Sequence, residues 1–228
     1  MKTRRIHSLA ALGVLVIVCS GLLAADLQCQ PAEARPSLAA LQEQVDALTD
    51  AVCLIADAQG LTPPSVCRSY RIVFLSSEEY TGNLGGLEGA DQICTDLALE
   101  AGLVGNFKAW LARGTDENPA SRFVRSAEPY VLVDGTQIAL DWDDLTDGEI
   151  LAPINVDENG AHHSLDLVWT SAAADGTSSG YQDCSGWTIE QPLPDSGGLG
   201  LNTETDFHWT EQVGRACDET YALYCFEQ

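Results

Sequence analysis

The stretch from Leu84 to Ala112, LGGLEGADQICTDLALEAGLVGNFKAWLA, constrains the fold more than any other, because it encodes a loop, a helix and a strand in one short unit. Gly82, Gly85 and Gly86 mark an irregular loop. Leu87, Ala90, Ile93, Cys94, Leu97 and Ala98 then recur at three- and four-residue steps, which sets them on one apolar helix face. Gly102 ends the helix. Cys94 belongs to the apolar face, so a disulfide from it would tie the helix to the strand that carries its partner. Cys225 is the candidate partner: it lies in the closing run ALYCFEQ, where Leu223 and Cys225 alternate with Tyr224 and Phe226 as in a strand of a mixed sheet.

At the other end of the sequence, Lys2, Arg4 and Arg5 precede the apolar run LAALGVLVIVCSGLLAA, which turns polar at Asp26; this predicts a secretory signal peptide over residues 1–34. Cleavage fits after Ala34, or after Ala25. The later site removes Cys19 and Cys29 and leaves an even set, Cys53, Cys67, Cys94, Cys184, Cys217 and Cys225. Six cysteines allow 15 pairings, and an export signal with an even cysteine count points to an oxidising compartment. Structural zinc is the rival reading, but the chain contains no CxxC pair.

Residues 35–60 predict a heptad helix. Leu38, Val45 and Val52 fall at a and Leu41, Leu48 and Ile55 at d, with Ser37 as cap and Gly60, Pro63 and Pro64 as the stop. Eighteen residues of helix span about 27 Å and are marginal alone, so the stripe must find a partner surface. The expectation is an oligomerising neck through residues 38–55, followed by a linker at 61–69; the alternative is a helix folded back on its own domain.

The head is expected over residues 70–228, long enough for a real core. Tyr70 to Ser76 reads as a strand, Tyr130 to Ala139 as a hairpin about Asp134-Gly135, Cys184 to Thr188 as a strand, and Ser196 to Gly200 as a glycine-rich loop. Trp110, Trp169, Trp187 and Trp209 sit in strand-like runs and are expected in the core rather than on a sugar-stacking platform.

The run GGLEGADQICTDLALEAGLVGNFKAWLA resembles the start of the endostatin domain of certain collagens, and more closely a bacterial family of secreted domains of unknown function. Four later segments resemble the same family in the same order: EPYVLVDGTQIALDWDDLTDG, LVWTSAAADG, DCSGWT and CDETYALYCFEQ. The resemblance implies an α+β, C-type-lectin-like fold over residues 71–228. It also implies nested disulfides, Cys94 with Cys225 and Cys184 with Cys217, which leaves Cys53 for Cys67. Heparin binding is not carried over, because endostatin's clustered arginines are replaced by scattered Arg113, Arg122, Arg125 and Arg215. Nor is endostatin's zinc, whose N-terminal histidine ligands have no counterpart. The carbohydrate motifs of calcium-dependent lectins are replaced by Gln191-Pro192-Leu193 and Trp209-Thr210-Glu211.

Charge narrows the partners. The net charge is −23, and loss of residues 1–34 would remove three bases and two acids to leave −24. Such a surface repels polyanions, so nucleic acid and anionic lipid are poor partners, and no membrane association is expected after signal cleavage. Asp141, Asp143, Asp144, Asp147 and Glu158, within eighteen residues, form the candidate ligand-binding segment. Within NVDENGAHHSLD, Asn155, Asp157, Asn159 and Asp166 approximate positions 1, 3, 5 and 12 of an EF-hand loop, making calcium the one cofactor to test. His162 and His163 are adjacent and should point apart. No HExxH or phosphate-cradling loop is present, and paired carboxylates at Asp143 and Asp157 offer an acid–base reading. The expectation is a secreted, periplasmic or cell-surface recognition or adhesion module, not an enzyme, with a protein or glycan ligand. The alternative is a structural subunit of an envelope or extracellular assembly.

Overall fold

A computed structural model describes residues 38–59, 67–164 and 166–228. The export signal with both cleavage points, the Ser37 cap and the stop at Gly60, Pro63 and Pro64 lie outside them. Helix α1 spans Leu38–Gln59. The head then runs β1 (Arg71–Leu75), α2 (Gly86–Glu100), β2 (Phe107–Ala109), a short α3 (Pro119–Arg122), β3 (Tyr130–Leu132), β4 (Gln137–Ala139), a short α4 (Trp142–Leu145), β5 (Leu167–Trp169), β6 (Ser196–Leu201), β7 (Val213–Ala216) and β8 (Ala222–Glu227). It is a mixed α and β architecture built mainly on a sheet.

Strand β8 is the axis of the sheet, whose order is β4-β3-β1-β8-β5-β6-β7 with β2 added to β8. It pairs antiparallel with β1 and β2 and parallel with β5. Every residue of β8 is buried, and its side chains divide between two cores as the alternation requires. Tyr224 and Phe226 join Trp110, Phe123, Trp142 and Trp209 on one face. Leu223 and Cys225 join Phe74, Leu87, Ala90, Cys94 and Ala98 on the face that α2 covers. The apolar side of α2 is therefore the one read from the sequence, and Gly102, at φ +75°, closes the helix.

Three disulfides hold this arrangement: Cys53–Cys67, Cys94–Cys225 and Cys184–Cys217. The second pins α2 to the centre of the sheet. The first joins α1 to the residues just ahead of β1.

Two segments differ from the sequence reading. Residues 184–187 are not a strand but one turn of left-handed helix, with φ of +49°, +53°, +74° and +65°. Trp187 N–H donates to the Asp183 carbonyl at 2.7 Å and Thr188 N–H to that of Cys184 at 3.1 Å. Left-handed backbone costs an L-residue about 1–2 kcal/mol. Three fixings hold it here. Asp183 accepts from Gly186 N–H, Cys184 is bonded to Cys217, and the buried Trp187 indole donates to the Ala112 carbonyl at 2.8 Å.

Residues 196–200 are not a loop but most of β6. Glycine is required there by contact: a Cβ on Gly200 would lie 1.9 Å from the Trp209 carbonyl oxygen, and one on Gly197 would lie 2.7 Å from the Trp169 ring. Because backbone and not a flexible side chain blocks the space at Gly200, Gly200→Ala is expected to destabilise the head by about 1–3 kcal/mol or more. A lower urea midpoint with an unchanged m-value would show it.

Candidate functional site

The acidic segment and the loop after it line the head beside α4 and β1. Asp141 caps α4, its Oδ1 accepting from Asp144 N–H at 2.9 Å, and Asp144 Oδ2 accepts from Leu140 N–H at 2.7 Å. Asp147 Oδ1 accepts from Glu149 N–H at 3.1 Å. Asp143 is exposed and lines a small hollow with Arg125, Ser126, Ala127, Asp141 and Trp142. The Arg125 guanidinium lies 5.7 Å from the Trp142 ring centre. Glu158 belongs to a different neighbourhood: it is buried, with its oxygens accepting from Ser77 N–H at 3.0 Å and from the Ser77 hydroxyl. Thus the structure does not bring the five candidate ligand-binding carboxylates into one constellation, and three of them cap backbone turns. Asp143 and Asp157 likewise have separate surroundings.

Asp157 is the hub of the second neighbourhood. Its Oδ1 accepts from Asn159 N–H at 2.9 Å and Ala161 N–H at 2.8 Å, while Oδ2 lies 3.0 Å from His163 Nε2. His163 Nδ1 lies 3.3 Å from Asp166 Oδ2, and Asp166 N–H donates to Asn202 Oδ1 at 2.8 Å. His162 turns the other way, 3.5 Å from Asp134 in the hairpin turn. Asn159 Nδ2 donates to Glu158. Both Asp157 oxygens are thus engaged by amide N–H groups and an imidazole, and Asp166 faces the same imidazole. Among the described residues no group of three or more His, Cys, Asp or Glu side chains is placed to hold a metal ion.

Burial acts to raise the Asp157 carboxyl, but the hydrogen bonds from His163, Ala161 and Asn159 outweigh it and hold the group below the ordinary aspartate value. A depressed folded-state value contributes stability at pH above the unfolded aspartate value, and that contribution is lost as pH falls through the folded one. An acid titration of thermal stability is therefore expected to fall more steeply below about pH 3.9 in the parent chain than in Asp157→Asn. Equal slopes would show that the carboxylate contributes nothing.

The four tryptophans expected in the core are fully buried. The indoles of Trp110, Trp169 and Trp187 donate to Thr210 Oγ1, the Tyr80 carbonyl and the Ala112 carbonyl. Two concavities had no sequence signal. A groove of about 520 Å³ is lined by Tyr70, Ile72, Leu103, Val131, Leu132, Val133 and Gly135, on β1 and β3. A hollow of about 290 Å³ has Ile93 and Leu97 from α2 beside Tyr80, with Glu78, Asp96 and Glu100 also lining it. Burial and the charges of Glu78, Glu158 and Glu100 push the Tyr80 hydroxyl up to about 12.

Helix α1 presents the remaining feature. Its six heptad positions are all exposed, from 44 % at Leu41 to 84 % at Leu38. No described helix is long and apolar enough to cross a membrane. The sequence matches no model of a known protein family and no curated protein.

Proposed function

We propose that the protein is an exported, non-enzymatic recognition or adhesion module, held in the periplasm, at the cell surface or outside the cell. Its endostatin-like, C-type-lectin-like head is presented in more than one copy by α1. The observation that carries this reading is the exposed heptad stripe of α1 joined by Cys53–Cys67 to a head cross-linked by two further disulfides. A rigid head on a self-associating stalk turns weak single contacts into avid binding. The nested bonds Cys94–Cys225 and Cys184–Cys217 support the lectin-like assignment. The use of Asp141, Asp144, Asp147 and Asp157 as backbone caps takes these carboxylates from acid–base chemistry. The net charge of −23 disfavours nucleic acid, heparin and anionic lipid as ligands.

The test is a screen of glycans and matrix proteins against the protein, run with calcium and with chelator. The expected result is a ligand whose binding survives chelation and weakens by about 10²–10⁴ when α1 can no longer self-associate. Turnover of any tested substrate contradicts the module, and large polymers formed by the head without α1 would favour a structural subunit instead.

A further inference from the structure

Helix α1 has 22 residues, LAALQEQVDALTDAVCLIADAQ, and contains no basic residue. By heptad position its four acids are segregated: Glu43, Asp50 and Asp57 fall at f and Asp46 at b. The positions flanking the seam, e and g, are Gln42, Gln44, Thr49, Ala51, Ala56 and Ala58, all uncharged. Two copies can therefore meet along the a/d stripe without opposing like charges, although the chain as a whole carries −23. The stripe also separates side-chain shapes. Two of its three a positions are β-branched, Val45 and Val52, and two of its three d positions are leucine, Leu41 and Leu48, the division that favours two parallel strands; Leu38 and Ile55 at the ends depart from it. Cys53 falls at b, off the seam, and is bonded to Cys67 of its own chain. Association thus leaves that bond intact, and every head hangs from the same end of its helix.

We infer that α1 pairs in parallel register with α1 of a second copy, setting two heads side by side at one end of a two-stranded stalk. This rests on the reading of α1 as a self-associating neck, and adds its strand number and direction. In parallel register each d residue faces its own copy, whereas antiparallel pairing would bring Leu41 against the opposite end of the partner helix. The test is oxidation of the Leu41→Cys protein, with Asp50→Cys as the off-seam control and sedimentation of the parent chain alongside. The expected result is a two-chain parent, near-complete reducible cross-linking of Leu41→Cys to twice the chain mass, and none of Asp50→Cys. A two-chain parent whose Leu41→Cys form stays uncross-linked overturns the parallel pairing and leaves the neck standing. Three or more chains overturn the strand number. A monomeric parent overturns the neck reading itself.

Discussion

Replacing Cys94 and Cys225 together by alanine is expected to destabilise the head by about 3–5 kcal/mol, the largest effect of any pair in the chain. The bond closes a separation of 131 residues, so its loss returns a large conformational freedom to the unfolded chain. Both cysteines are fully buried, and the substitution also removes sulfur volume from the core between α2 and β8. Against a typical stability of about 5–15 kcal/mol, such a loss leaves a head that is marginal at 37 °C. Urea denaturation of the oxidised parent and of the double variant measures it. A difference under about 1 kcal/mol would mean that α2 is fixed to the sheet by packing alone.

The second large effect is expected just after Cys67, where the chain passes from α1 towards β1. Arg68 Nη2 and Glu227 Oε1 are 2.6 Å apart, and the side chains are 3 % and 0 % exposed. Glu227 Oε2 also accepts from Ile72 N–H at 2.9 Å. This buried pair joins the segment just after Cys67 to the last strand of the head. Arg68→Ala would leave a carboxylate enclosed without its cation, which costs about 3–5 kcal/mol. The combined Arg68→Met and Glu227→Leu change should recover most of that loss, because it removes both charges from the interior. What it cannot recover is the bond to Ile72 N–H, at about 1–3 kcal/mol. If Arg68→Ala melts with the parent, the pair is not enclosed in solution.

What could be read from the sequence follows from what leaves a periodic trace. Helix α2 and strand β8 were legible because Leu87, Ala90, Cys94 and Ala98 repeat at helical spacing while Leu223 and Cys225 alternate with Tyr224 and Phe226. The disulfide pairs came from the resemblance, since six cysteines by themselves leave 15 pairings open. Strand β6 was lost because Gly197 and Gly200 have no side chain to show a pattern; their reason is the Trp169 ring and the Trp209 carbonyl pressed against them. The turn at 184–187 was lost because Cys, Ser and Trp disfavour left-handed backbone, and only Asp183, Cys217 and the Ala112 carbonyl, two of them far along the chain, impose it.

The candidate site was harder. Closeness of carboxylates in sequence showed charge but not use, and Glu158 turns to Ser77 while Asp141 turns to α4. One signal was available: Asp141 followed three residues later by Asp144, just before a buried Leu145, has the spacing of a helix cap. For Arg68, in the expected linker, and Glu227, in the last strand, there was none.

The proposed multi-copy display of the head depends on α1, and sedimentation velocity of the protein beside its Val45→Glu, Leu48→Glu variant tests it most directly. The prediction is a concentration-dependent two-chain species for the parent and a single-chain species for the variant, with identical near-ultraviolet spectra showing the head intact. A parent that sediments as one chain, or a variant that sediments with the parent, would contradict it.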